Sequence, residues 1–327
     1  MSFLFRGTSR SRNLALFKNA ARPAPRLASR FGHERSAWLS TLAAPGEAVV
    51  ERCTLLSSDA IGSNADSHSA ARLAKLQLSS GIFAQIAQQI ETGEENAFYV
   101  VDTSAVEERY KLWHDYLPEV RPYYAVKCNP DATLLSSLAR LGAGFDCASL
   151  AEISAVLSHG VAPSDIIYAN PCKQPSHVRF ATSHGVDMMT FDSIDELTKI
   201  HKINPTAKLV LRLYVDDTKA ICRLGTNVSA YSDAVLRARK AFDIGASLGF
   251  NFGLLDIGGG FPGTEGGPIS FQECAAELKT SLGEHFPSAS GVRIISEPGR
   301  FFAASTHTLA VNVIGRKVAP TFDIPGT

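Results

Sequence analysis

An α/β barrel, a (β/α)8 TIM-type barrel short of one strand, is the fold this sequence predicts, and three observations carry it. Short apolar runs centre on Ala125, Phe145, Ile167, Met189 and Leu211, at intervals of 20, 22, 22 and 22 residues. Each interval holds one amphipathic stretch of helical period, such as Ala132–Leu141 or Ser193–Ile203. Short buried strands alternating with helices are expected of a parallel sheet covered by helices. Spacing this even suits a closed barrel better than an open sheet.

Taken in order, residues 1–70 stand apart. Residues 1–33 carry seven bases (Arg6, Arg10, Arg12, Lys18, Arg22, Arg26 and Arg30) and no acid. Rich in Ser, Ala and Arg, this stretch fits either an organelle transit peptide, with an amphipathic segment near Asn13–Ala21, or a disordered leader outside the fold. The formal net charge of zero over 327 residues therefore hides an acidic body behind a basic start. That balance argues against nucleic-acid and anionic-membrane partners, which call for a basic surplus. No apolar run reaches the length of a membrane span. The six cysteines (Cys53, Cys128, Cys147, Cys172, Cys222 and Cys274) are scattered without a CxxC pair, so neither a disulfide scaffold nor a metal site is expected. A soluble intracellular chain is the expectation.

Beyond the leader, residues 73–90 show helical spacing, Phe98–Val101 reads as a strand, and a helix follows from Ser104 as N-cap. The barrel domain is expected over residues 71–310. Two further apolar runs, near Leu255 and Ile295, bring the strands to seven where a closed barrel of this kind has eight. Ser229–Leu248 reads as one helix, and Leu224–Val228 is too short and polar for a central strand. A sixth strand is missing, and its neighbours are expected to be left with unpaired backbone groups.

Barrel chemistry sits at the carboxyl ends of the strands. Lys127 ends the first run, Asp146 the second, and Arg212 the fifth; Gly258, Gly259 and Gly260 end the run at Leu255, and Glu297 and Arg300 the last. An amine after the apolar Tyr124-Ala125-Val126 is expected to be partly desolvated, which lowers its pKa and frees it to attack an aldehyde. Bare glycine N–H groups suit a phosphate, an arginine can clamp one, and a carboxylate can hold a ring nitrogen protonated. Each feature alone has a plainer reading: a solvated lysine, a tight turn, a helix cap, a surface ion pair. Together they describe one ligand with an aldehyde, a phosphate and a basic ring nitrogen, which is pyridoxal 5′-phosphate.

The segments YYAVKCN (123–129), GFDCASLAEI (144–153), YANPCKQ (168–174), DDTKAICRL (216–224), LLDIGGGFPG (254–263) and SEPGRFF (296–302) resemble those of the eukaryotic ornithine decarboxylases, barrel-type pyridoxal-phosphate enzymes. The resemblance runs from about residue 75 to residue 318, and YAVKCN and YANPCK favour the ornithine branch. It implies decarboxylation of L-ornithine to putrescine, a homodimer and a cytoplasmic setting, while the arginine-rich leader allows a mitochondrial one. By the same resemblance, Lys127 holds the cofactor covalently and Asp146 manages its proton. Arg212 lines the cofactor with Asp146; Gly258, Gly259, Gly260 and Arg300 hold the phosphate, and Glu297 the ring nitrogen. Glu152 is implied as a supporting acid, with Cys128 and Cys147 as packing residues.

Two departures accompany the likeness. The family's sixth strand carries a His-Val-Gly-Ser segment that this sequence lacks, and His159, His177, His184 and His201 offer no replacement at a strand end. After Val311–Ile314 the family continues into a β-domain, of which residues 311–327 would be only the start. The expectation is therefore a decarboxylase of the ornithine type whose activity in this chain is impaired or absent. The alternatives are a catalytically dead binding or regulatory paralogue, or an incomplete splice or gene product.

Overall fold

A computed structural model describes residues 2–5, 80–212, 228–312 and 314. The rest of the predicted leader, the Cys222–Gly225 junction and nearly all of the 311–327 tail lie outside the described residues. The chain divides into two compact units, Met1–Gly7 with Glu95–Thr327, and Thr8–Glu94. In the second, the described residues form helix α1 (Ser80–Glu91), within the helical stretch expected over 73–90.

The first unit is the barrel. Strand β1 (Ser2–Phe5) comes first, followed by β2 (Phe98–Val101) and α2 (Thr103–Tyr116). A strand–helix alternation follows: β3 (Val120–Ala125), α3 (Ala132–Arg140), β4 (Gly144–Cys147), α4 (Leu150–Ser158), β5 (Ile166–Tyr168), α5 (Pro175–Ser183), β6 (Met188–Phe191), α6 (Ile194–Ile203) and β7 (Lys208–Arg212). Helix α7 (Ser229–Ser247), β8 (Phe252–Asp256), α8 (Phe271–His285), β9 (Arg293–Ser296), the short α9 (Arg300–Ala303) and β10 (His307–Ala310) complete it. Strands β3 to β7 pair in sequence, all parallel, and β9 joins β3 on one side and β8 on the other. Outside the barrel, β10 pairs antiparallel with β2.

Local chemistry explains why helices follow strands here. Asp131, Ser149, Ser193 and Ser270 each accept a backbone N–H from the first turn of the helix that they cap, and Ser270 forms a capping box with Glu273. The cap of α2 differs from the expectation at Ser104. Asp102 takes that place, because its carboxylate accepts from Ser104 N at 3.0 Å and Ala105 N at 3.4 Å, and from the Ser104 hydroxyl at 2.6 Å.

Alternation along the strands builds two cores. Tyr123, Ile167, Ala169, Met188, Val210, Leu254 and Ile295 form one buried cluster, the filling of the barrel. Their strand neighbours Tyr124, Ile166, Tyr168, Met189, Leu255 and Ile294 fall in the larger cluster shared with the helices. Trp113 of α2, fully buried, ties that larger core together: its indole N–H donates to Val120 O at 2.8 Å, and its ring meets Phe261, Phe271 and Phe301.

Closure of the barrel corrects an expectation. Seven parallel strands are present among the described residues, but their open edges are not left unpaired. Strand β1, from the stretch assigned to a leader outside the fold, lies between β7 and β8, antiparallel to both. Ser2 stands opposite Arg212 and Asp256, and Leu4 opposite Val210 and Leu254. Exposed strand edges are strong templates for pairing, and four residues of extended backbone satisfy both edges at once.

Removal of residues 2–5 is expected to speed amide hydrogen exchange in β7 and β8 by at least about tenfold while leaving β4 and β5 protected. Unchanged exchange in β7 and β8 would refute the closing role of β1. Gly144 faces Tyr123 across β3 and β4, and a Cβ there would stand 2.6 Å from its ring. Gly144→Ala is expected to cost about 1–3 kcal/mol in denaturant unfolding, as overpacking does; an unshifted midpoint would count against this packing.

Candidate active site

Parallel pairing brings the carboxyl ends of all seven strands to one mouth. After β3, a single 3-10 turn (Val126–Cys128) carries Lys127 out of the strand. Ala125 pairs with Asp146 across β3 and β4, and this register seats the Lys127 ammonium on the Asp146 Oδ2 carboxylate oxygen. The Asp146 side chain is fully buried, whereas that of Lys127 is 56% exposed. Burial pushes the Asp146 carboxyl up to about 7, helped by the Glu297 charge and opposed by Lys127.

The lysine runs against expectation. Burial does pull its pKa down, but the charge and hydrogen bond of Asp146, with Glu297 and Glu152 behind, hold it above the ordinary lysine value. Desolvation loses to a ring of acids. A second lysine, Lys173, makes the contrast. It is buried, donating to Thr190 O and to Glu196 Oε1, with its pKa lowered by burial. Only Lys127 of the two is open to a ligand.

The glycine run follows β8. Gly258 (φ +73°) and Gly260 (φ +95°) sit in the left-handed region, and a Cβ on Gly259 would come within 2.3 Å of Glu297 O. Gly258 O accepts from Glu297 N at 2.7 Å and from the Ser296 hydroxyl at 2.6 Å. Ala125 N donates to Pro298 O at 3.1 Å. The ends of β3, β8 and β9 are thus held together by backbone bonds. Glu297 is raised well above the carboxylate range by burial and then by Asp256. Arg212, exposed at the end of β7, acts on Glu297 as an opposing charge. Arg300, exposed at the start of α9, acts in the same way on the Cys128 thiol.

All eight residues singled out in the sequence therefore lie at strand ends of one mouth. Glu152 also fixes the start of α4, where its Oε2 accepts Ala148 N at 2.6 Å. Cys147 is buried but Cys128 is exposed, so the packing expectation holds for one of the two; burial pushes both thiols up. His159 and His184 cap the far ends of α4 and α5. The residue that sequence reading missed is Asp256, fully buried at the end of β8, with Oδ1 accepting Gly258 N at 2.8 Å. Its signal was an acid two places before a glycine run.

Pyridoxal 5′-phosphate can be tested against these residues. Asp146 Oδ1, beside the Lys127 amine, is buried without a donor, an open acceptor that suits a ligand bearing a polar hydrogen. A Cβ on Gly258 would meet nothing within 4 Å, so the bare backbone there borders open space. An accessible amine, bare glycines and a guanidinium complete a fitting donor set.

The sequence profile described as "Pyridoxal-dependent decarboxylase, pyridoxal binding domain" matches residues 103–229 and 225–304, well over half of the chain. The chain belongs to the pyridoxal-dependent decarboxylases. Rattus norvegicus ornithine decarboxylase is 45% identical over 259 residues, 68% of this chain and 56% of that protein. Antizyme inhibitor 2 of Xenopus laevis is 42% identical over 262 residues, 69% of this chain and 58% of that protein. The chain thus spans little more than half the length of the relatives that it matches. Among solved structures, the Paramecium bursaria Chlorella virus arginine decarboxylase superposes with a TM-score of 0.68 at 32% identity, covering 74% of each chain. No helix among the described residues is long and apolar enough to cross a membrane.

Replacing Asp146 removes the charge that holds up Lys127. Asp146→Asn is expected to lower the Lys127 pKa and so raise its acylation rate at pH 8 several-fold, read by competitive labelling and mass spectrometry. An unchanged rate would contradict the pairing.

Proposed function

We propose that this chain binds pyridoxal 5′-phosphate at the barrel mouth and acts as a decarboxylase of L-ornithine, releasing putrescine. One observation carries the reading: an accessible lysine amine on a buried aspartate, inside a mouth that also holds a glutamate and a glycine run. Lys127 is the covalent anchor, and Asp146, with a carboxyl that titrates near neutrality, gives and takes the proton at Nζ. Glu297 serves the ring nitrogen, while Gly258, Gly259, Gly260 and Arg300 serve the phosphate and Arg212 the cofactor face. The cofactor, when bound, supplies an electron sink for the pair left at Cα as carbon dioxide departs. Ornithine, rather than arginine, follows from the YAVKCN and YANPCK segments and from the 45% identity to a relative named ornithine decarboxylase. A homodimer and a cytoplasmic setting belong to the same reading, with the basic leader as the argument for a mitochondrial one.

Turnover is proposed to be low. The sequence has no His-Val-Gly-Ser segment, and β1 stands in the place between β7 and β8. The same facts, with the 42% identity to a relative named antizyme inhibitor 2, favour as second reading a binding or regulatory protein that keeps the fold.

Purified protein supplied with pyridoxal 5′-phosphate and ornithine separates these. Cofactor uptake with slow putrescine release, both lost in Lys127→Ala, is the expected result. Uptake without turnover supports the binding reading. No uptake by folded protein refutes the assignment of the mouth.

A further inference from the structure

Asp256 belongs to none of the roles given so far. It closes β8, is fully buried, and spends one oxygen on Gly258 N. Its other oxygen, Oδ2, is sealed from water with no donor, and so is Glu297 Oε1. The two carboxyl groups lie within hydrogen-bonding reach of one another. We propose that Asp256 is a positioning residue of the cofactor seat, fixing the glycine run with one oxygen and sharing a single proton with Glu297 through the other.

The inference rests on the cofactor reading above and follows from the inventory of donors. The groups facing the pair are Asp146, Lys127, Arg212, the Gly258 amide and the chain's N-terminal amine, which acts on Asp256 as an opposing charge and not as a hydrogen-bond donor. The amide is taken by Oδ1, and the Lys127 ammonium is seated on Asp146. Two ionised carboxylates cannot face each other at such burial, whereas one proton between them satisfies both orphaned oxygens. Burial raises both acids above the usual carboxylate range, in keeping with a retained proton. The result is a closed circuit: Asp256 holds the Gly258 N–H, Gly258 O holds the Glu297 N–H, and the proton returns from Glu297 to Asp256. Backbone and side chain of Glu297 are thereby tied to the loop assigned to the phosphate, and its second oxygen is left for a ring nitrogen.

A shared proton has a signature in the ligand-free protein. Asp256→Asn and Glu297→Gln each keep shape and hydrogen bonding but remove one acid. Difference infrared spectroscopy at neutral pH is expected to show each variant losing one and the same protonated-carboxyl signal, with the double variant losing no more. Losses that add in the double variant, or a loss in only one of the single variants, overturn the shared proton. On the wild-type protein alone, a broad and displaced carboxyl absorption is expected; a sharp one for this pair overturns the claim even where a variant does not fold. Positioning is read separately with pyridoxal 5′-phosphate as probe. Its affinity is expected to fall at least about tenfold in Asp256→Ala and to stay within about threefold in Asp256→Asn, which retains an acceptor for Gly258 N. Equal affinity in the alanine variant overturns the positioning role. Failure of the wild-type protein to bind the probe overturns the cofactor reading instead, and the carboxyl count still decides the proton.

Discussion

Three carboxyl groups, Asp146, Asp256 and Glu297, meet at the mouth of a parallel barrel, and their burial is the constraint that the rest of the site answers. Removing a carboxylate from water costs several kcal/mol unless it is paired, hydrogen-bonded or neutralised. Each remedy is visible. Lys127 pairs with Asp146, the Gly258 amide bonds Asp256, and burial raises the pKa of all three acids. The parallel register makes the meeting unavoidable, since β3, β4, β8 and β9 all deliver their ends to the same face. Acids that crowd together in this way hold an amine charged and favour a ligand that brings a protonated nitrogen.

Much of this was legible in the sequence because the relevant signals are local. The even spacing marked the strands, their alternation with helical stretches marked the sheet as parallel and covered, and the strand ends picked out Lys127, Asp146, Glu297 and the glycines. Failures came where the outcome depended on distant partners. Reading Lys127 from its apolar neighbours Tyr124 and Val126 gave the wrong direction of pKa shift, because the acids that decide it arrive from β4 and β9. Asp256 looked like part of an apolar run, and only its place opposite Glu297 gives it a role. Asp102 displaced Ser104 as helix cap because a carboxylate can accept from two amides and a hydroxyl together.

The pairing of β1 is the clearest long-range effect. Nothing in Ser2–Phe5 marks a barrel strand, and its pairing with β7 and β8 comes from edges some 200 or more residues away in sequence. Unsatisfied backbone selects for extended chain rather than for a motif. Being antiparallel, β1 closes the hydrogen bonding between β7 and β8 while turning its amino-terminal end, at Ser2, toward Arg212 and Asp256.

A crystal structure of the protein grown with pyridoxal 5′-phosphate decides whether the acid-ringed amine at the mouth is a cofactor seat. Continuous density is expected between the Lys127 amine and the cofactor, with the ring nitrogen on Glu297 and the phosphate against Gly258, Gly259 and Gly260. Cofactor attached to another lysine such as Lys173, or bound away from the mouth, would contradict it.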